Sequence, residues 1–157
     1  YPADIRNAAL DIAVCSGPEN DEGETLGIEE TVWACKRDMR VSGRDPVPLA
    51  VLDRSCWWRD LPAAALDAIG REYEVAFRSS SFSSIQSAIR SGFAVGILPE
   101  TCVTDEVTVL SRNDGFPELP RSRRSIMVAA GAPKALTAAM ADAIRTARSE
   151  ALEAQKA

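Results

Sequence analysis

Ser79, Ser80 and Ser81 stand in a row directly ahead of an amphipathic stretch that begins at Phe82. Hydroxyls in that place accept hydrogen bonds from the first N–H groups of a helix, and with the helix dipole they suit an anion. A second group, Ser55, Cys56, Trp57, Trp58 and Arg59, follows an apolar run and precedes another helical stretch. Its indoles offer stacking surfaces for a planar ligand, and its guanidinium suits a two-pronged grip on a carboxylate. Cys15 with Ser16, and Pro99, sit where two further apolar runs end. Each feature has a plainer account. Serines before a helix are caps and turn formers. Arg59 has Asp53 and Asp60 close by in sequence as surface partners. Of two adjacent tryptophans one faces the core, and the other a cleft or a dimer contact.

Little here organises a catalyst. The chain has no histidine, which removes a Ser–His dyad and most zinc hydrolases. The glycine-bearing run Ser91 to Gly96 passes from helix into strand, the reverse of a phosphate-cradling loop. Glu29 and Glu30, if on a strand, point to opposite faces and do not present two carboxylates to one substrate. Cys15, Cys35, Cys56 and Cys102 lie far apart without C-x-x-C spacing. They read as buried reduced thiols, with Cys56 and Cys102 as the alternative redox pair. No metal or cofactor is expected.

The 157 residues are 46% hydrophobic, carry a net charge of −5 and have a pI near 4.8. That is enough chain for one domain or two small lobes of one. The acidic balance argues against duplex DNA as a direct partner. The basic groups Arg121, Arg123, Arg124 and Lys36, Arg37, Arg40, Arg44, like the acidic stretch Glu19 to Glu24, read as solvated loops. No apolar run approaches the roughly 20 residues that span a bilayer, and the first residues lack signal-peptide character. A soluble, cytoplasmic chain without a membrane partner is the expectation.

Strands and helices alternate along the chain. Leu10 to Cys15 reads as a buried strand with helical turns before it, Thr25 to Lys36 as one or two strands, and Leu49 to Asp53 as another buried strand. Leu61 to Ile69 has the helical face Leu61, Ala65, Ala68 and Ile69 with Gly70 as its stop. Tyr73 to Phe77 is the next strand, and Ser81 or Ser83 caps a helix with Ile85, Ala88 and Ile89 inward and Gly92 at its end. Phe93 to Pro99, Val107 to Ser111 and Arg124 to Ala130 supply further strands. Pro133 opens a long final helix with Leu136, Met140, Ala143, Ile144 and Ala147 inward. Such alternation favours an α/β fold with mostly parallel sheets and flanking helices, and with ligands beyond the carboxyl ends of the strands.

The runs LDIAV, PLAVLDRSCWWRDLPAAALDAIG and YEVAFRSSSFSSIQSAIRSGFAVGILPE, in that order, resemble the C-terminal effector-binding domain of LysR-type transcriptional regulators. The resemblance covers nearly the whole chain and rests on order and spacing rather than on one motif. It implies a two-lobed periplasmic-binding-protein-like (type 2) domain, with residues 1–47 as an incomplete first-lobe portion, 48–98 as the second lobe, and 99–157 as the return crossover and C-terminal first-lobe elements. It also implies a binding protein in place of an enzyme. A small carboxylate-bearing or aromatic effector between the lobes would set dimer or tetramer geometry, touching Cys15, Ser16, Ser55, Cys56, Trp57, Trp58, Arg59, Ser79, Ser80, Ser81 and Pro99. DNA would be met only through an N-terminal helix-turn-helix that has no counterpart in these 157 residues. Tyr1-Pro2 resembles a dipeptide that the family carries well upstream, so residues are expected to be missing between Pro2 and Ala3. A transport-type solute receptor of the same architecture is the alternative, and a dimerising domain without a ligand is the third reading.

Overall fold

The computed structural model describes residues 1–19, 22–41, 43–54 and 56–154. In chain order the elements are α1 Pro2–Arg6, β1 Ile12–Pro18, β2 Glu24–Glu29, β3 Thr31–Lys36, β4 Val47–Leu52, α2 Leu61–Asp67, β5 Tyr73–Ser79, α3 Phe82–Arg90, β6 Gly96–Pro99, β7 Val107–Leu110, β8 Ser122–Val128 and α4 Lys134–Ala154. They fall into two compact units, one of Tyr1–Ile28 with Ser122–Ala157 and one of Glu29–Arg121.

In the first unit β8 lies between β1 and β2. β1 and β8 are antiparallel, with Ile12 opposite Val128 and Cys15 opposite Ser125. Ile5 of α1 packs with Cys15, Met127 and Ala129 in a small core. The helix α4 is tied to β2 by charge: Arg145 holds Glu24 through Nε at 2.7 Å and Nη2 at 2.8 Å, and Nη1 also donates to Asp142. The hydrogen bond from Arg145 holds the Glu24 carboxyl below its ordinary 4.5. A lowered folded-state value stabilises the unit above the unfolded value, and this is lost as pH falls through the folded one. Glu24→Gln is therefore expected to flatten the acid limb of a stability-against-pH curve below about pH 4.5. An acid limb identical to that of the parent chain would remove Glu24 as a contributor.

The second unit has a sheet ordered β6-β3-β7 and a pair β4-β5. β3 is antiparallel to both its neighbours, β4 is parallel to β5, and a parallel bridge between Leu49 and Val95 links β4 to the residue just before β6. Val47 to Val51 are all buried, as expected for a strand covered on both faces. Leu49 and Val51 enter one core cluster with Trp33, Leu66, Val95 and Phe116. Ala50 enters the other with Ile85, Ala88, Ile89 and Leu98.

Several expectations are met. Ile85, Ala88 and Ile89 are the buried face of α3. Gly70 and Gly92 follow their helices with φ +68 and +78, left-handed values that a Cβ disfavours.

Others need correction. The sheets are mixed, as expected, but the antiparallel pairings of β1 with β8 and of β3 with β6 and β7 outweigh the parallel one, because strand periodicity carries no information on partner direction. The chain is helical at the Pro2–Ala3 bond. The helix α1 runs through that bond, with Ile5 N–H donating to Tyr1 O at 3.0 Å and Asn7 N–H to Ala3 O at 2.9 Å. α2 ends at Asp67, so Ala68 and Ile69 lie past it and are exposed, while Pro62 and Leu66 are buried beside half-buried Leu61 and Ala65. Among the described side chains of α4 the buried ones are Thr137 and Ala141, with Ile144 half-buried. Leu136 is 63% and Met140 48% exposed, and Ala143 and Ala147 are exposed as well. Apart from these corrections, residues 48–98 lie within the compact unit Glu29–Arg121, in which β3 is hydrogen-bonded to both β6 and β7.

Candidate functional site

The carboxyl ends of β4 and β5 build a corner in the second unit. Their parallel register sets Leu52 level with Ser79, and Asp53 N–H donates to Ser79 O at 2.8 Å just beyond the strands. From there the chain takes two routes. After β4 it passes through turns at Trp57 to Asp60 before α2, and after β5 it reaches Ser80, Ser81 and α3 at once. The parallel bridge of Leu49 to Val95 gives β6 the same direction as β4, so Pro99 also closes a strand on that side of the unit.

The serines divide their work. Ser81 is the N-cap of α3, its Oγ accepting from Ser84 N–H at 3.4 Å. Ser79 Oγ accepts from Ser81 N–H at 3.1 Å and shapes the turn. Ser80 is exposed between them. Ser81→Ala is expected to cost about 1 kcal/mol of stability, the usual size of a lost cap. A chemical-denaturation midpoint indistinguishable from the parent would show that the cap contributes nothing.

Aromatic contacts join the two routes. Trp57 and Trp58 have ring centroids 6.2 Å apart, and Trp58 lies 6.0 Å from Phe82, the first residue of α3. Trp58 is 9% exposed and belongs to the core cluster, against which half-buried Cys56, Trp57 and Phe82 pack. Residue chemistry alone does not single out Phe82. Its apolar character amid serines at a helix start is the available clue.

Arg59 lies on the turn that precedes α2. It is exposed, and its Nε donates to the adjacent Asp60 at 3.1 Å, the plainer of its two readings. Asp53 pairs with Arg78 at 4.0 Å. Pro99 is buried opposite Thr31 of β3. Cys15 and Ser16 belong to the first unit, Cys15 buried in its core and Ser16 exposed on β1. Ser55 lies outside the described residues.

All four cysteines are outside disulfides. Cys56 packs on one core cluster of the second unit and Cys102 on the other. Burial pushes the Cys35 thiol above its ordinary 9.0, with the Asp114 charge adding to the effect, so it stays protonated at neutral pH and is a poor nucleophile. Among the described residues no group of three or more Cys, Asp or Glu is placed to hold a metal, and no helix is long and apolar enough to cross a membrane. A separate concavity of about 450 Å³, lined by residues that include Trp33, Val109, Phe116 and the Arg112–Glu118 ion pair, contains none of the residues selected from sequence.

A two-unit α/β chain with helix-flanked mixed sheets and a polar, aromatic corner at its parallel strand ends belongs to the periplasmic-binding-protein-like class. Residues 2–151 match the LysR substrate binding domain family, and the chain belongs to that family. It is 29% identical over 142 residues to the HTH-type transcriptional regulator DgdR of Burkholderia cepacia, covering 90% of this chain and 48% of that protein. It is 24% identical over 120 residues to the HTH-type transcriptional regulator PecT of Dickeya dadantii (strain 3937), covering 76% of this chain and 38% of that one. The chain thus spans half or less of the length of these relatives. Among solved structures it is similar to the bromide-bound regulatory domain of HypT from Salmonella typhimurium, with a TM-score of 0.73 at 13% identity over 95% of this chain and 77% of that one. The regulatory domain of CcmR from Synechocystis PCC6803, in complex with 2-PG, gives 0.67 at 18% identity over 94% and 77%. These relatives are transcriptional regulators and their regulatory domains, not enzymes.

Proposed function

We propose that this chain is the effector-binding and oligomerisation domain of a LysR-type transcriptional regulator, and that it holds a small carboxylate-bearing or aromatic molecule at the corner formed by Trp57, Trp58 and Ser79 to Ser81. The observation that carries this reading is the 6.0 Å contact of Trp58 with Phe82. It joins two segments, far apart in sequence, that bear the candidate ligand-binding groups. The first-turn N–H groups of α3 have no intrahelical acceptors, and the exposed Ser80 hydroxyl stands beside them. Occupancy of the corner then biases one arrangement of a dimer or tetramer over another, and a ligand does so only through its different affinity for the two. DNA is reached through a helix-turn-helix outside these 157 residues, as the names of the relatives suggest. Family membership favours this regulator over a transport receptor.

Calorimetric titration of small organic acids, with Ser80→Ala beside the parent chain, tests the reading. A bound acid raises apparent stability by RT ln(1 + [L]/Kd). Ser80→Ala is expected to weaken that acid's binding while stability changes by less than about 1 kcal/mol, because Ser80 is not the cap. Equal affinity in the two proteins would count against the corner.

A further inference from the structure

Resting on that reading, we infer that the indole N–H groups of Trp57 and Trp58 are donors to the effector, and that the group they receive is an anion offering acceptors only, such as a carboxylate. Both Nε1 atoms are buried and have no hydrogen-bond partner among the described residues. The third indole of the unit shows the usual arrangement, with Trp33 Nε1 donating to Pro117 O at 2.8 Å. Buried polar atoms are paired in the large majority of cases, so two orphaned donors on adjacent residues mark a place where an acceptor is to be supplied. Trp58, itself 9% exposed, stands against Phe82, where the helix dipole and the N–H groups of α3 already favour negative charge.

Two exposed ion pairs lie at this corner. Asp53 is paired with Arg78, and Asp60 with Arg59. The neutral donors at this corner are two indoles, first-turn N–H groups and the Ser80 hydroxyl. Recognition by neutral donors predicts an affinity that varies little with salt, unlike recognition by an exposed guanidinium. The residues from Trp57 to Asp60 form turns with no strand or helix.

The test uses the ¹⁵N-labelled chain and its three indole N–H resonances, with sodium benzoate, acetate and bromide as probes. Benzoate or acetate is expected to move the Trp57 and Trp58 resonances downfield and to leave that of Trp33 in place. Trp57→Phe and Trp58→Phe keep an aromatic ring and lose the donor, and each is expected to weaken binding about tenfold, or about 1.4 kcal/mol, the size of one net hydrogen bond. Binding that moves the Ser80 and Phe82 amides but neither indole, with the Phe variants binding as the parent does, overturns this inference and leaves the effector corner standing. Failure of every probe to move any of these resonances overturns both. If a Phe variant does not fold, the parent's indole resonances decide alone.

Discussion

Arg71→Ala is expected to destabilise the second unit by about 3 kcal/mol, through loss of several charge-assisted hydrogen bonds to loop carbonyls from one largely buried side chain, and of a cation–π contact. The Arg71 side chain is 10% exposed. Its Nη1 donates to Asp114 O at 3.0 Å and Gly115 O at 2.8 Å, its Nη2 to Val41 O at 2.9 Å, and its Nε to Asp45 at 3.4 Å. Its guanidinium carbon lies 4.2 Å from the centroid of the Phe116 ring, and Phe116 packs in turn on Trp33 at 5.2 Å. One side chain therefore fastens three loop carbonyls to the larger core cluster. Arg71→Lys keeps the charge but replaces a planar fork by a point donor, and is expected to recover less than half of the loss. In urea unfolding the midpoint should fall with the slope unchanged. A loss below about 1 kcal/mol, or a lysine variant as stable as the parent, would show that the loops are held by other contacts.

Much of the site's placement was legible in the letters. An apolar run too short for a helix, a serine cluster, a 3.6-residue stripe and a stopping glycine are each local signals, and from them the strand β5, a cap at either Ser81 or Ser83 and the inner face of α3 follow. The final helix was less legible because it is rich in alanine: Ala135, Ala138, Ala139, Ala141 and Ala143 give it no single apolar stripe. Leu136 and Met140 then suggest a face that the structure leaves exposed. The face turned inward carries Thr137, Ala141 and Ile144, and its neighbour Arg148 lies over Gly27, where a Cβ would stand 2.0 Å from Arg148 Nη2. Pairing direction was hidden too, since a strand's own residues do not name its partner. The orphaned indole donors are likewise invisible in sequence, because burial and hydrogen-bond partners are both tertiary facts.

Gly96→Ala tests how closely α3, and with it the serine turn, is seated. Gly96 begins β6 opposite Ala34 of β3. A Cβ there would meet Ile89 Cδ1 at 2.8 Å and Cγ1 at 3.2 Å, with Ala50 O at 3.4 Å. Ile89 is fully buried and is packed in the cluster of Ala34, Ala50, Ile85 and Leu98, so its side chain has nowhere open to turn. Overpacking of this kind costs about 2 kcal/mol, and the strain falls on the helix whose first residue carries the Trp58 contact. Ile89→Val removes the Cδ1 atom and by itself costs about 1 kcal/mol. In the double variant the atom nearest the new methyl is gone, so the two losses should not add. The pair is expected to be about 1 kcal/mol more stable than the sum of its singles predicts, a coupling typical of residues in contact. Strict additivity in a denaturation double-mutant cycle would mean that β6 or α3 relaxes away from the contact, and that the seat of the serine turn is set elsewhere.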